Sequence, residues 1–377
     1  MPHDLIVFGE DWGRHPSSTQ HLVSRLARDR KVVWVNSLGL RRPRIDASDL
    51  RRLGYKALHT LRPAPDGVAG AKAAHHPFDA LVAPRAIPWP GSRLAAMANR
   101  QLVGAQLRKA MDGAAIKRPV LWTSLPTALP LVGSLGERAV VYYAGDDFAA
   151  LHGVDHKPVL AMELELARKA NLILAASHEI ATRFDPAKTM VLPHGVDFDL
   201  FSRPQRPARN LPSGKVAGFY GSINGWIDLD AVAAAARKLS NWTFVLIGRV
   251  ETDLSPLAGL ANVRLEPAMA HGALPAWSQH WTVAMLPFRR NRQIEASNPL
   301  KLREYLATGN PVAATYAFPA ISGINAPVAT PDSGEDLGDA ILKAEARREA
   351  FRTFAPSLAD ESWDARANQL ARLIDSL

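Results

Sequence analysis

The sequence contains no cysteine. Disulfides, thiolate nucleophiles and cysteine-ligated metals are therefore excluded. It has no run of about 18 apolar residues, the length a membrane-spanning helix requires. The start, Met1-Pro2-His3-Asp4, lacks the basic region and long apolar stretch of a secretion signal. A reducing, cytoplasmic setting is the expectation these absences support. There is no G-x-G-x-x-G run and no H-E-x-x-H run, so neither a nicotinamide site nor a zinc-peptidase site is expected.

What is present is globular. Hydrophobic residues make up 47% of the 377 and charged residues 21%, an ordinary folded composition. The length suits two domains. The net charge of +9 suits phosphate-bearing substrates, anionic membranes or nucleic acid. Arg41, Arg42, Arg44, Arg51, Arg52, Lys56 and Arg62 crowd one stretch, with Leu40, Leu53, Tyr55, Leu58 and Leu61 between them. Two readings fit: a solvated helix face, or a segment lying on anionic lipid.

Short β-rich runs alternate with helical patterns. Leu5-Ile6-Val7-Phe8, Val32-Val33-Trp34-Val35, Val120-Leu121-Trp122-Thr123, Val140-Val141-Tyr142-Tyr143, Leu172-Ile173-Leu174-Ala175 and Met190-Val191-Leu192-Pro193 read as strands. Ser17 and Ser18 offer caps to a helix carrying Leu22, Val23 and Leu26. A stretch rich in proline and charge, residues 202–215, then marks a boundary. The pattern restarts with Val216-Ala217-Gly218-Phe219-Tyr220 and continues through Phe244-Val245-Leu246-Ile247, Val263-Arg264-Leu265, Val283-Ala284-Met285-Leu286 and Pro311-Val312-Ala313-Ala314. Strand–helix alternation implies parallel sheets covered on both faces. The expected fold is α/β, with doubly wound domains at 1–203 and 212–355 and a C-terminal helix at 356–377 that packs back on the first. Ligands of such sheets sit beyond the carboxyl ends of the strands. Two facing units would place a cleft there, one substrate per domain.

The most informative segment runs Ser297-Asn298-Pro299-Leu300-Lys301-Leu302-Arg303-Glu304. Asn298 suits a helix N-cap and Pro299 the first helical position. The free N–H groups of a helix start attract anions. Lys301 lies in the first turn, where the helix dipole disfavours a cation; a bound phosphate explains it better than helix stability does. Glu304, three residues on, shares its side of the helix and suits the hydroxyls of a ribose. A second cluster, Tyr142-Tyr143-Ala144-Gly145-Asp146-Asp147-Phe148, places two carboxylates at a strand's carboxyl end, where either Asp146 or Asp147 suits a general base. Asp11, Trp12 and His15 follow the first strand and suit acceptor binding. Gly221, Ser222 and Asn224 follow the first strand of the second domain, where glycine lets backbone approach a diphosphate. Arg249, after Ile247-Gly248, is a further phosphate partner.

The segment 298–312 resembles the donor-site helix of GT-B glycosyltransferases, especially bacterial exopolysaccharide enzymes of glycosyltransferase group 1. Gln20-His21-Leu22, the turn from Tyr143 to Phe148, Pro193-His194-Gly195-Val196-Asp197, Gly218 to Gly221, Ile247-Gly248 and Leu286-Pro287-Phe288 extend the resemblance over nearly the whole chain. It implies that Lys301 contacts the diphosphate and Glu304 the ribose, with Ser297 and Asn298 touching phosphate or sugar. Retaining relatives carry glutamates spaced E-x7-E. Counting back from Glu304 gives Ala296, with Glu295 one position off. This departure points toward the xanthan-type glucuronosyltransferases, which invert. The implied reaction moves a sugar from a nucleotide diphosphate, a UDP-sugar, to a hydroxyl of a glycan or lipid-linked saccharide in bacterial surface polysaccharide synthesis. It implies a protein peripheral to the inner face of the cell membrane.

Two D-x-D patterns, Asp197-Phe198-Asp199 and Asp228-Leu229-Asp230, suit a turn and a helix cap better than a metal, and no metal or other cofactor is expected. A sugar-nucleotide epimerase of the same shape is the alternative within the fold. A basic nucleic-acid binder is the alternative outside it. That reading needs aromatics interleaved with the basic stretch, where only Tyr55 stands, so no nucleic-acid partner is expected.

Overall fold

Short runs of branched and aromatic residues build two separate parallel sheets. The structure, a computed structural model, describes residues 2–13, 17–39, 76–149 and 155–377. The chain divides into two compact units: Met1–Val191 with Ala367–Leu377, and Leu192–Arg366.

The first unit carries β1 Leu5–Phe8, β2 Val32–Val35, β3 Ala80–Val82, β4 Val120–Thr123, β5 Ala139–Ala144, β6 Leu172–Ala175 and β7 Thr189–Val191. They pair in parallel in the order β3-β2-β1-β4-β5-β6-β7. Every residue of β1, β2, β4, β5 and β6 is buried, as a sheet covered on both faces requires. Helix α1, Ser18–Leu26, starts at Ser17, whose hydroxyl accepts from the Gln20 amide at 3.1 Å. Helix α2 spans Arg93–Gly113 and α3 spans His156–Lys169. The pattern reading contained neither β3 nor α2.

The second unit carries β8 Lys215–Tyr220, β9 Trp242–Ile247, β10 Val263–Glu266, β11 Val283–Leu286 and β12 Val312–Ala314, all parallel, in the order β10-β9-β8-β11-β12. Helix α4, Leu229–Lys238, is capped by Asp228, which accepts from the Ala231 amide at 3.1 Å. Helices α5, Arg292–Ala296, and α6, Leu300–Ala307, follow β11. Trp281 fills the space over Gly218, where a Cβ would lie 2.1 Å from the indole.

The boundary falls earlier than residues 202–215 suggested. Val196 and Phe201 are buried in the second unit's core. The Val196 amide donates to Glu361 O at 3.1 Å, and Trp363 N donates back to Val196 O at 3.0 Å. Gly195 is required beside them, since a Cβ there would lie 2.7 Å from the Trp363 ring. These apolar contacts draw the segment after β7 into the second unit. The C-terminal helix, α7, spans Trp363–Asp375, and its residues from Ala367 onward belong to the first unit. There buried Arg30 donates twice to Asp375, at 2.9 and 3.3 Å.

Among the described residues no helix is long and apolar enough to cross a membrane. His15 and the basic stretch from Arg41 to Arg62 lie outside the described residues. Gly218→Ala should lower the melting temperature by about 3–10 °C, since overpacking costs roughly 1–3 kcal/mol. An unchanged melting curve would show that Trp281 does not constrain that position.

Candidate active site

In open parallel sheets ligands bind where the strand order reverses. In the second unit that point lies between β8 and β11, and the chain leaves β8 through Gly221 and Ser222. The Gly221 amide still donates to Ile247 O at 2.9 Å. Gly248 packs against this turn so closely that a Cβ would fall 1.9 Å from Gly221 O. Gly221 itself has φ +135° and lies under Lys301: a Cβ there would come within 2.7 Å of Lys301 Cε and 3.0 Å of Nζ. Two glycines thus clear a path for the lysine amine to reach bare backbone.

Lys301 stands in the first turn of α6. Its ammonium lies 5.6 Å from the Phe219 ring centroid and 5.9 Å from that of Phe288, within cation–π range. Among the described residues it makes no hydrogen bond or ion pair. Burial lowers its pKa below the ordinary 10.5, against the raising influence of Glu304. A cation held in this way can receive an anion.

Glu304 is buried and already held. The Tyr220 hydroxyl donates to Oε2 at 2.5 Å, and His271 Nε2 lies 2.7 Å from Oε1. That hydrogen bond to Glu304 raises the His271 pKa above 6.5, with burial opposing it. Each carboxylate oxygen keeps a further lone pair, so a donor hydroxyl can still be accepted. The helix start differs from the sequence expectation. Asn298 does not cap α6; Pro299 occupies the cap position in extended conformation, and the helix begins at Leu300. The physical reason is Arg303, whose guanidinium donates to Asn298 Oδ1 and to Glu361 at 2.8 Å. Ser297 donates to Ile294 O at 2.9 Å. Asn224 accepts from the Trp226 amide at 3.1 Å and shapes its turn. Ser222 and Arg249 are exposed, and Arg249 has only Glu251, 3.7 Å away, as an ion partner. The structure therefore assembles Gly221, Lys301 and Glu304, and leaves Ser222 and Arg249 at the surface of the strand ends.

The first unit carries its own cluster. Asp147 is buried; its Oδ1 accepts from the Ala149 amide at 3.0 Å and from Arg183 at 2.9 Å. Arg183 also reaches fully buried Glu163 at 2.5 Å, and Glu163 accepts from the Tyr142 hydroxyl at 2.7 Å. Asp146 differs: it is exposed and has no hydrogen-bond or ion-pair partner among the described residues. Its pKa is nonetheless raised above 3.8, first by surrounding protein that weakens hydration of the charged form and second by the Asp147 charge. Glu10, after β1, accepts from Gln20 Nε2 at 3.2 Å and from Ser17 Oγ. Burial raises its pKa, and the charges of Asp146 and Asp11 add to the rise. Trp12 packs edge-on against Phe78 and Trp34, at 4.6 and 5.4 Å, so its ring serves the fold.

Sequence reasoning missed Glu10, Glu163, Arg183, Tyr220 and His271. Only Glu163 left a signal, a carboxylate on the same helical stripe as Val159 and Leu166.

The chain resembles solved structures over its full length. HepE of Anabaena in complex with UDP is 15% identical, with 99% of this chain and 100% of that one covered at a TM-score of 0.65. WaaG, a glycosyltransferase involved in lipopolysaccharide biosynthesis, is 14% identical, with 98% and 99% covered at 0.61. The chain has the GT-B fold. No protein-family model matches it. A curated relative, TuaH of Bacillus subtilis, provisionally described as a teichuronic acid biosynthesis glycosyltransferase, is 28% identical over 222 residues, 53% of this chain and 56% of TuaH. The matched part thus spans about half the length of that relative.

Lys301→Ala should weaken binding of a nucleoside diphosphate by about 10–100-fold, the worth of one charge-assisted contact, with no loss of melting temperature in the unliganded protein. Unchanged affinity in titration calorimetry would remove the lysine from the site. The His271–Glu304 pair should contribute stability in full below about pH 6.5 and lose it as pH rises through the raised His271 value. Melting curves across this range should be flatter for His271→Gln; parallel curves would show that the pair contributes nothing.

Proposed function

We propose that the protein is a glycosyltransferase that moves a sugar from a nucleotide diphosphate, a UDP-sugar, to a hydroxyl of a glycan or lipid-linked saccharide in bacterial surface polysaccharide synthesis. The observation that carries this reading is the Lys301 ammonium, without an anionic partner at bonding distance among the described residues, set over the Gly221 backbone at the switch point of the second sheet. The GT-B fold supports it, as do the UDP and UDP-glucose complexes of HepE and the description of TuaH.

In this reading the second unit holds the donor. Lys301 and the start of α6 face the diphosphate, and Glu304, steadied by Tyr220 and His271, accepts from the ribose. Gly221, Ser222, Asn224 and Arg249 border that site, with Ser297 and Asn298 supporting it. The first unit supplies the acceptor side, with Asp11 and Glu10 near the base. Asp146 is the base rather than Asp147, because Asp147 is committed to Arg183. The Asp146 carboxylate takes the acceptor's hydroxyl proton as that oxygen bonds to the anomeric carbon. The bond from that carbon to the phosphate oxygen breaks, and the nucleoside diphosphate leaves with the electron pair. Developing charge on the leaving group is met by Lys301 and the helix start. The outcome is inversion. Position 296 is alanine, and Glu295 pairs with Arg290 at 3.4 Å.

A metal is not needed in this scheme, since Lys301 supplies the positive charge and Asp228 is engaged in capping α4. The reading also locates the protein on the inner face of the cell membrane, with the stretch from Arg41 to Arg62 as one anionic-lipid contact.

Asp146→Asn should reduce turnover by about 10²–10⁴-fold while sparing donor affinity. In the wild type, turnover should rise with pH through the raised pKa of Asp146, and chelation by EDTA should leave the rate unchanged. Near-normal turnover in Asp146→Asn would eliminate the base, and epimer formation from the donor alone would replace transfer with epimerisation.

A further inference from the structure

The outward face of α2 stands apart from the rest of the described surface. Six of the eleven exposed large hydrophobic side chains fall between residues 81 and 102: Leu81, Ile87, Trp89, Leu94, Met97 and Leu102. Leu94 is 80% exposed and Met97 67%. The helix buries Ala95, Asn99, Val103, Leu107 and Met111. This stripe at four-residue spacing leaves Leu94 and Met97 on the opposite side. Two apolar residues of the approach to α2, Ile87 and Trp89, are also about half exposed. Soluble surfaces rarely gather apolar residues in this way without a partner.

Charge identifies the partner. From residue 80 to residue 111 the chain has Arg85, Arg93, Arg100, Arg108 and Lys109 and no acidic residue. All five are exposed, and none forms an ion pair among the described residues. An exposed Trp, Leu and Met surface set among unpaired cations, along a helix of about 31 Å, matches the composition of elements that lie in the headgroup region of an anionic bilayer. A protein partner would have to supply carboxylates at several separate points along that length; an anionic bilayer presents negatively charged phosphates all along it.

We propose that α2 and the segment from Ile87 to Trp89 form a docking surface for an anionic lipid bilayer, with Leu94, Met97 and Trp89 entering the headgroup layer and the five cations meeting lipid phosphates. This surface is separate from the stretch between Arg41 and Arg62, and the inference does not depend on the donor-site reading.

Vesicle flotation of the full chain tests it, using phosphatidylcholine vesicles with and without roughly 30% phosphatidylglycerol. The wild type should float with the anionic vesicles, more weakly as salt rises, and should not float with pure phosphatidylcholine. The double variant Leu94→Glu/Met97→Glu should lose about tenfold or more of that binding, with an unchanged melting temperature. Neutralising Arg93, Arg100 and Arg108 to Gln should weaken it separately. The proposal is overturned if the wild type does not bind, if the Leu94→Glu/Met97→Glu protein binds as before, or if only neutralising the cations between Arg41 and Arg62 removes binding. It is also overturned if light scattering shows a dimer that those two substitutions break while vesicle binding is absent.

Discussion

The second unit is organised around a lysine ammonium held over a glycine turn. Lys301 enters where the dipole of α6 opposes it, under two aromatic rings and without an ion partner among the described residues. Several neighbouring choices follow from that placement. Gly221 has to lack a side chain so that the amine can pass, and Gly248 has to lack one so that Gly221 can lie where it does. Glu304 is turned away from simple pairing with the lysine by Tyr220 and His271. An arrangement that leaves a cation under-compensated gains nothing for folding; it makes sense as a site prepared for an anion.

The first unit solves the opposite problem. Three carboxylates, Glu10, Asp11 and Asp146, collect near the carboxyl ends of β1 and β5; burial raises the proton affinity of Glu10 and the charges of Asp146 and Asp11 add to it, while Asp146 is raised by the surrounding protein and by the Asp147 charge. Beneath them Tyr142, Glu163, Arg183 and Asp147 form a closed network. That network fixes the turn and absorbs one aspartate of the pair, which leaves the other available for chemistry.

Much of this was legible in the sequence. Strands such as Leu5–Phe8 and Val283–Leu286 announce themselves because a strand buried on both faces is apolar throughout. The lysine at a helix start and the glycine after β8 were readable because each violates a local rule, and rule-breaking concentrates at sites. What was missed has physical causes. Edge strand Ala80–Val82 is short and half-exposed, and α2 carries large apolar residues on its outer side, which blurs the helical period. The boundary was misplaced because a proline-rich linker marks flexibility of composition, whereas Val196 and Phe201 had already entered the second core. The different settings of Asp146 and Asp147 depend on Arg183, which lies 36 residues beyond Asp147 and bonds it alone of the two. His271 gives no sign in sequence of its bond to Glu304.

The central claim is that the second unit recognises a diphosphate on a nucleoside. Titration calorimetry with UDP and with UMP tests it most directly. Because the second phosphate would meet Lys301 and the start of α6, the account predicts that UDP binds at least about tenfold more tightly than UMP. Equal affinity for the two, or binding of neither, would contradict it.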